Sequence, residues 1–103
     1  MEVVYEVNIE VDPSIAELFQ NWLPGHVQKI QSLDGFLAAN IFTRKPSDEG
    51  LSTPNKLWTV HYRIRSRKDL ESYFQNEAPR LRQDAETRFG PKIWITRRIL
   101  ETN

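Results

Sequence analysis

Cysteine is absent from the 103 residues of this chain, and its absence removes several kinds of chemistry. Disulfide bonds, cysteine-ligated zinc, iron–sulfur clusters and a cysteine nucleophile are all excluded. Long apolar runs are also lacking: the longest covers only residues 36–39, so we expect no membrane-spanning segment. Met1 and Glu2 do not begin a basic stretch of the kind that opens a secretory signal peptide. These absences predict a cytoplasmic protein that does not act at a membrane.

An excess of charge of either sign is lacking as well, since 14 basic residues balance 14 acidic ones. The length is typical of one globular domain, residues 1–103, and the neutrality argues against a nucleic-acid partner held by a strong net field. The glycines are too scattered for a phosphate-binding loop. His26 and His61 lie far apart in the sequence and are expected on opposite faces of the sheet, so we expect no metal site built from both. No cofactor is expected, and haem ligation by a single histidine stays an open alternative.

Alternating apolar residues predict strands that have one wet face. The clearest case is residues 3–11, where every second residue from Val3 onward is apolar. The same alternation predicts strands over residues 56–65 and 92–101. Residues 36–44 also have the composition of a strand, but two apolar sets compete there, so its register stays open. The competing sets are Phe36, Ala38 and Phe42 against Leu37, Ala39 and Ile41.

An amphipathic helix is predicted between the first two strands. Asp12 followed by Pro13 is a helix-start signal, and an apolar stripe that includes Leu18 and His26 continues to about residue 33. Pro24 should kink this helix or divide it in two, because proline cannot donate the helical hydrogen bond.

A second amphipathic helix is predicted between the last two strands. Ser66 and Asp69 have the spacing of a capping box, and apolar residues then recur at helical spacing as far as Phe89. Pro79 lies inside this segment and should bend it.

The predicted order is therefore βαββαβ, which indicates an α+β ferredoxin-like sandwich: an antiparallel sheet in spatial order 4-1-3-2 with both helices on one face. The other face must stay wet or pack against a partner. It would carry Glu6, Asn8, Thr59, His61, Arg63, Trp94, Thr96 and Arg98. RNA-recognition domains share this order and stack bases on sheet aromatics, but the alternation puts Tyr5, Trp58 and Tyr62 beneath the helices, so we expect no nucleic-acid partner.

One candidate ligand-binding site lies under the helices. Tyr5, Tyr62 and Arg97 fall on the apolar sides of their strands, and His26 falls on the apolar stripe of the first helix. Buried arginine and tyrosine need polar partners, so a structural network with Arg97 paired to Glu77 or Asp84 is one interpretation. The other is a small cavity, opened by the two prolines, with His26 at its mouth.

The open sheet face offers an alternative site. Glu6, His61, Arg63 and Arg98 come from three neighbouring strands. A cross-strand ion pair between Glu6 and one of the arginines is the structural interpretation. As a site, the same residues could orient a titrating histidine and bind a carboxylate.

Several segments resemble the bacterial domain-of-unknown-function 4286 family, within the dimeric α/β-barrel group. The resemblance covers nearly the whole chain, through residues 5–8, Trp22 with His26, His61 with Tyr62, Tyr73 with residues 77–82, residues 88–90 and residues 97–101. It implies a homodimer whose sheets meet face to face with the helices outside. It brings no established catalytic residues.

These observations predict a small homodimeric α/β-barrel protein that binds a small organic molecule or serves as an interaction module. The alternative is an enzyme similar to cofactor-independent monooxygenases or isomerases, because some oxygenases of the same barrel group place substrates in a comparable space. That comparison is an analogy at the level of the fold.

Overall fold

A computed structural model describes residues 1–102 and confirms the predicted βαββαβ architecture. In that range the strands are β1 (Val3–Val11), β2 (Phe36–Arg44), β3 (Lys56–Ile64) and β4 (Ile93–Glu101), and the helices are α1 (Ala16–Gln31), α2 (Arg67–Asn76) and α3 (Ala78–Phe89). The sheet is antiparallel in the order β2-β3-β1-β4, which is the predicted order read from the other edge.

Pairing along β1 separates the polar and apolar residues onto two faces. Tyr5 lies opposite Tyr62, and the next residue, Glu6, lies opposite both His61 and Arg98. Since successive side chains alternate between faces, the two tyrosines point under the helices while Glu6 points to the open face. The apolar core therefore lies between the sheet and the helices.

A β-bulge settles the register that the sequence left open in β2. Phe36 pairs with Ile64, but Ala38 pairs with the adjacent Arg63, so Leu37 is an extra residue. The bulge shifts the alternation by one position. Phe36 from the first apolar set and Ala39 from the second consequently share the helix-covered face, and neither competing pattern was correct along the whole strand.

The two helix prolines have opposite effects. Pro24 stands inside α1, which continues without a break to Gln31. Pro79 stands in the first turn of α3, and the predicted second helix is divided at Glu77, which has φ of −121°. The expectation of one bent helix was therefore wrong for this segment. Proline is well accommodated in the first turn of a helix, where its missing N–H has no helical partner.

The buried stripe of α1 is narrower than predicted. Phe19, Leu23, Val27 and Ile30 are buried, whereas Leu18 is 66% exposed. Each helical residue advances about 100°, so Leu18 points well to one side of Phe19. The placement of Leu18 on the core stripe was therefore wrong.

Gly35 joins α1 to β2 at a crowded position. Its φ is +86°, and a Cβ added there would lie 2.7 Å from Cβ of Asp69. Asp69 cannot easily move, because it accepts hydrogen bonds from Ser66 Oγ (2.8 Å) and Arg65 Nε (2.9 Å). Ser66 also accepts from the Asp69 amide, which confirms the predicted cap at the start of α2.

We predict that Gly35→Ala lowers the free energy of unfolding by about 2 to 3 kcal/mol, because it combines a disfavoured backbone conformation with a clash. Gly25→Ala is the matched control. Gly25 is helical and has nothing within 4 Å of an added Cβ, so its replacement should stabilise by about 0.5 to 1 kcal/mol. Urea unfolding measures both values. Equal effects of the two substitutions would contradict this account of Gly35.

Candidate functional site

A cavity of about 410 Å³ lies between the sheet and the helices. Its lining includes all four residues of the first candidate site: Tyr5, His26, Tyr62 and Arg97. Strands β1, β3 and β4 supply the floor, and α1 and α3 supply the walls. Residues that are far apart in the sequence therefore line one partly enclosed space.

Tyrosine rings form one side of this cavity. Tyr5 stacks on Tyr62, with ring centroids 5.9 Å apart, and Tyr73 from α2 also lines the space. Burial raises the pKa of the Tyr62 hydroxyl, which belongs to a residue only 2% exposed, and it raises that of Tyr73 to about 12. Both hydroxyls therefore stay protonated at neutral pH and can donate or accept hydrogen bonds.

His26 stands at another part of the cavity wall and stacks on Trp22. The two ring centroids are 4.3 Å apart and the rings are inclined by 23°. Burial lowers the pKa of His26 to about 4, with Lys29 adding to the effect and Asp84 opposing it. The imidazole is therefore neutral at pH 7, with one nitrogen that donates and one that accepts.

Arg97 does not have the environment predicted for it. Although it points to the helix-covered face, it lies on the edge strand β4 and is exposed. Neither expected partner binds it, because Glu77 pairs with Arg80 and Asp84 pairs with Arg88. A side chain on an edge strand can reach the rim and remain hydrated, so the buried ion pair proposed for Arg97 was wrong.

Sequence reasoning missed Arg82, which also lines the cavity. Its guanidinium donates a long hydrogen bond of 3.4 Å to the Tyr5 hydroxyl and lies 5.6 Å from the centroid of the Phe74 ring. A signal was present in the sequence. Arg82 follows Ala78 by four residues and precedes Ala85 by three, so it projects from the same side of the helix as these two buried alanines, although its own side chain stays exposed.

The alternative site on the open face is a connected polar cluster around Glu6, which is only 5% exposed. Arg98 Nε donates to one carboxylate oxygen at 2.6 Å, and His61 Nε2 lies 2.9 Å from the other. Asn8 Nδ2 also donates to Glu6 at 2.9 Å. The predicted cross-strand ion pair is therefore present between Glu6 and Arg98.

Hydrogen bonds to Arg98, Asn8 and His61 lower the pKa of Glu6 to about 2, with Arg98 the largest cause and burial acting in the opposite direction. The carboxylate is thus held ionised at any ordinary pH. Such a group binds and orients cations well but is a poor proton acceptor, because its affinity for a proton is low.

Arg63 does not join this cluster, contrary to the prediction. It pairs with Glu2 at 2.9 Å near the start of β1. The cluster instead extends through Thr59 to Arg44, which pairs with Glu49 at 2.7 Å. These residues surround an open depression of about 720 Å³ on the sheet face that none of the described helices covers.

A metal-binding cluster and a membrane-spanning helix are both absent from the part of the chain that the structure describes. No group of three or more histidine and acidic side chains is arranged to hold a metal ion there. No helix in the described residues is long and apolar enough to cross a membrane.

Comparison with known sequences finds one family match. The sequence profile described as "Domain of unknown function (DUF4286)" matches residues 2–103. Among curated protein sequences, none matches the chain significantly.

Solved structures share the fold at low sequence identity. SnoaB, a cofactor-independent oxygenase from Streptomyces nogalater, has a TM-score of 0.72 and 12% identity over 99% of this chain and 93% of its own. The heme-degrader MhuD from Mycobacterium tuberculosis, solved with two hemes bound in its active site, has a TM-score of 0.64 and 15% identity over 97% and 94%. Foldit4, a de novo designed protein, has a TM-score of 0.64 and 15% identity over the full length of both chains. Since an oxygenase and a designed protein both share it, the fold by itself carries no activity.

We predict that Glu6→Gln costs about 2 kcal/mol of unfolding free energy at pH 7 and progressively less in acid. The pKa of Glu6 is about 2 in the folded protein against an ordinary 4.5. Its stabilising effect is therefore fully present above about pH 4.5 and is lost as the pH falls toward 2. The exposure of Arg98 keeps the magnitude modest.

Unfolding of wild type and variant in urea from pH 2 to 7 measures this difference. Glu2→Gln is the control, because Glu2 and Arg63 form an exposed pair that should contribute little. A difference between wild type and Glu6→Gln that does not change with pH would contradict the prediction.

Proposed function

The chain belongs to the DUF4286 family, and we propose that it is a small-molecule-binding protein that holds a planar organic ligand between its sheet and helices. The observation that carries this proposal is the cavity of about 410 Å³, whose lining is mainly apolar and aromatic with polar groups among it. Ligand sites in proteins are typically enclosed clefts of this size with such a lining. The open depression around Glu6 is larger, but its charged groups already bind one another.

The aromatic lining favours a flat ligand. Tyr5 and Tyr62 are nearly parallel, and Trp22 and His26 form a second stacked pair. Rings arranged in this way offer flat faces against which an unsaturated ligand can stack. The tyrosine hydroxyls and the neutral His26 supply hydrogen bonds that would fix its orientation.

Cofactor-independent oxygenase or isomerase activity is the second candidate. Its support is the neutral His26 in the cavity wall, since a neutral imidazole can accept a proton from a bound substrate. A pKa of about 4 makes His26 a weak base, however, and a general base works best with a pKa near the working pH. Binding is therefore better supported than catalysis.

The proposal includes a homodimer, which the resemblance to the dimeric barrel group also implies. Trp94 is 51% exposed and Phe42 is 46% exposed, and both point to the open sheet face from opposite edges of the sheet. Pairing of two such faces would remove both aromatic rings from water. A cytoplasmic location stays a prediction from the sequence.

For the cavity, we predict that 2-naphthol or 2-naphthoate stabilises the wild-type protein in a thermal-shift experiment. A ligand at 100 times its dissociation constant adds about 2.7 kcal/mol of stability. Ala85→Leu should abolish the shift, because Ala85 lines the cavity and the larger side chain fills it. Gln83→Leu on the exposed side of α3 is the control and should respond like wild type. Unchanged binding by Ala85→Leu, or no shift of the wild type with either probe, would overturn the proposal.

For the dimer, we predict that sedimentation at micromolar concentration finds two copies and that Trp94→Lys weakens the association by about thirtyfold or more. Leu18→Lys is the control, because Leu18 is also strongly exposed but lies on α1, on the other side of the sheet. A wild-type protein that sediments only as a monomer would contradict the proposed assembly.

A further inference from the structure

Two arginines differ from all the others in their electrostatic partners. The chain has nine arginines, and within the described residues seven of them form an ion pair with a carboxylate: Arg44, Arg63, Arg65, Arg67, Arg80, Arg88 and Arg98. In the same part of the chain, Arg82 and Arg97 form none. Both line the cavity under the helices.

These two arginines lie at one end of the cavity. Arg82 donates to the Tyr5 hydroxyl at 3.4 Å, and the ring centroids of Tyr5 and Tyr73 are 6.2 Å apart. Arg97 lies opposite Val7, two residues along β1 from Tyr5, and both arginines act to lower the pKa of Tyr73 against the larger effect of burial. The positive charges and the hydroxyls of Tyr5 and Tyr73 are therefore grouped together. Trp22 and His26 belong to α1, on the wall supplied by a different helix.

The charged side chains that line the cavity have a positive net charge. Glu86 also lines the cavity and contributes one formal negative charge, while His26 is neutral at pH 7. Glu77 lies near Tyr73, but its carboxylate is bound by Arg80 at 2.6 Å. Two arginines and one glutamate give the lining a formal net charge of +1.

We propose that the ligand of this cavity is an aromatic monocarboxylate, whose carboxylate binds Arg82 and Arg97 while its ring lies against the aromatic side chains. This inference rests on the proposed function and specifies the class of ligand. A guanidinium forms two parallel hydrogen bonds with a carboxylate, and charge-assisted bonds of this kind are stronger than neutral ones. A monoanion also matches the formal net charge of +1 of the lining.

The position of Arg82 and of the tyrosine hydroxyls favours an anion over a neutral ligand. Arg82 is tethered by a long hydrogen bond and by its position over the Phe74 ring, so it stands near the cavity before any ligand binds. The Arg82 side chain therefore loses less conformational entropy on ligand binding than an untethered arginine would. Tyrosine hydroxyls can donate to the same carboxylate, which adds directional bonds at that end.

The test is calorimetric titration with 2-naphthoate and with its uncharged analogue 2-naphthamide at neutral pH. Wild type should bind the carboxylate about tenfold or more tightly than the amide. Arg82→Met and Arg97→Met should each remove most of that preference by weakening naphthoate and leaving naphthamide nearly unchanged. Arg82→Lys keeps the charge but loses the planar fork, so it should retain part of the preference.

Two substitutions are the matched controls. Arg80→Met removes a guanidinium from the same helix as Arg82, where it forms an exposed pair with Glu77. Arg63→Met removes one from the opposite face of the sheet. Both should keep the wild-type preference, and circular dichroism checks that all the variants are folded.

The outcomes separate this inference from the function on which it rests. Equal binding of naphthoate and naphthamide by wild type would overturn the monocarboxylate and leave the binding function intact. An equal loss of preference in Arg80→Met would also overturn it, because the effect would then come from overall charge. Binding of neither probe would count against both proposals.

Discussion

The antiparallel pairing of β1 with both β3 and β4 is the constraint on which the other features depend. It aligns Tyr5 with Tyr62 on one face and Glu6 with His61 and Arg98 on the other. A shift of one residue in the β1–β3 pairing would put Tyr5 and Tyr62 on opposite faces, and a shift in the β1–β4 pairing would put Glu6 and Arg98 on opposite faces. The cavity and the polar cluster are therefore two consequences of one register.

Charged side chains have different environments on the two faces of the sheet. On the open face, Glu6 is nearly buried, but three side chains bind it and hold its pKa near 2. Under the helices, Arg82 and Arg97 reach the cavity from positions that stay hydrated. Burial of a charge is costly unless the charge is paired. The open face therefore pairs its buried charge, whereas the helix-covered face leaves its arginines unpaired but in contact with water. These unpaired arginines leave charge available for a ligand, and this is why the helix-covered cavity is the better candidate site.

The prolines show how the same residue type can have two outcomes. Pro79 begins α3 after the break at Glu77, and this break lets α2 and α3 place Tyr73 and Arg82 separately against the cavity. Pro24 is accommodated inside a continuous α1 whose buried side chains hold it against the sheet. Pro24 removes a hydrogen bond from the interior of a helix that its buried stripe still holds together, whereas Pro79 lies in a first turn, where no such bond is lost.

Alternation of period two and the helix-start signals by themselves determined the order of elements, the arrangement of the strands and the face on which Tyr5, Tyr62 and His26 lie. These features depend on local periodicity and on general rules for connections, which a sequence displays directly. Three features needed the tertiary structure: the bulge at Leu37, the exposure of Arg97 and the presence of Arg82 in the lining. Each depends on distances between separate elements: which residue of a neighbouring strand is opposite, how close an edge lies to solvent, and which helix turn faces the cavity. Periodicity shows which face of its own helix or strand a side chain occupies. Only the packed structure decides which residues of other elements that side chain contacts.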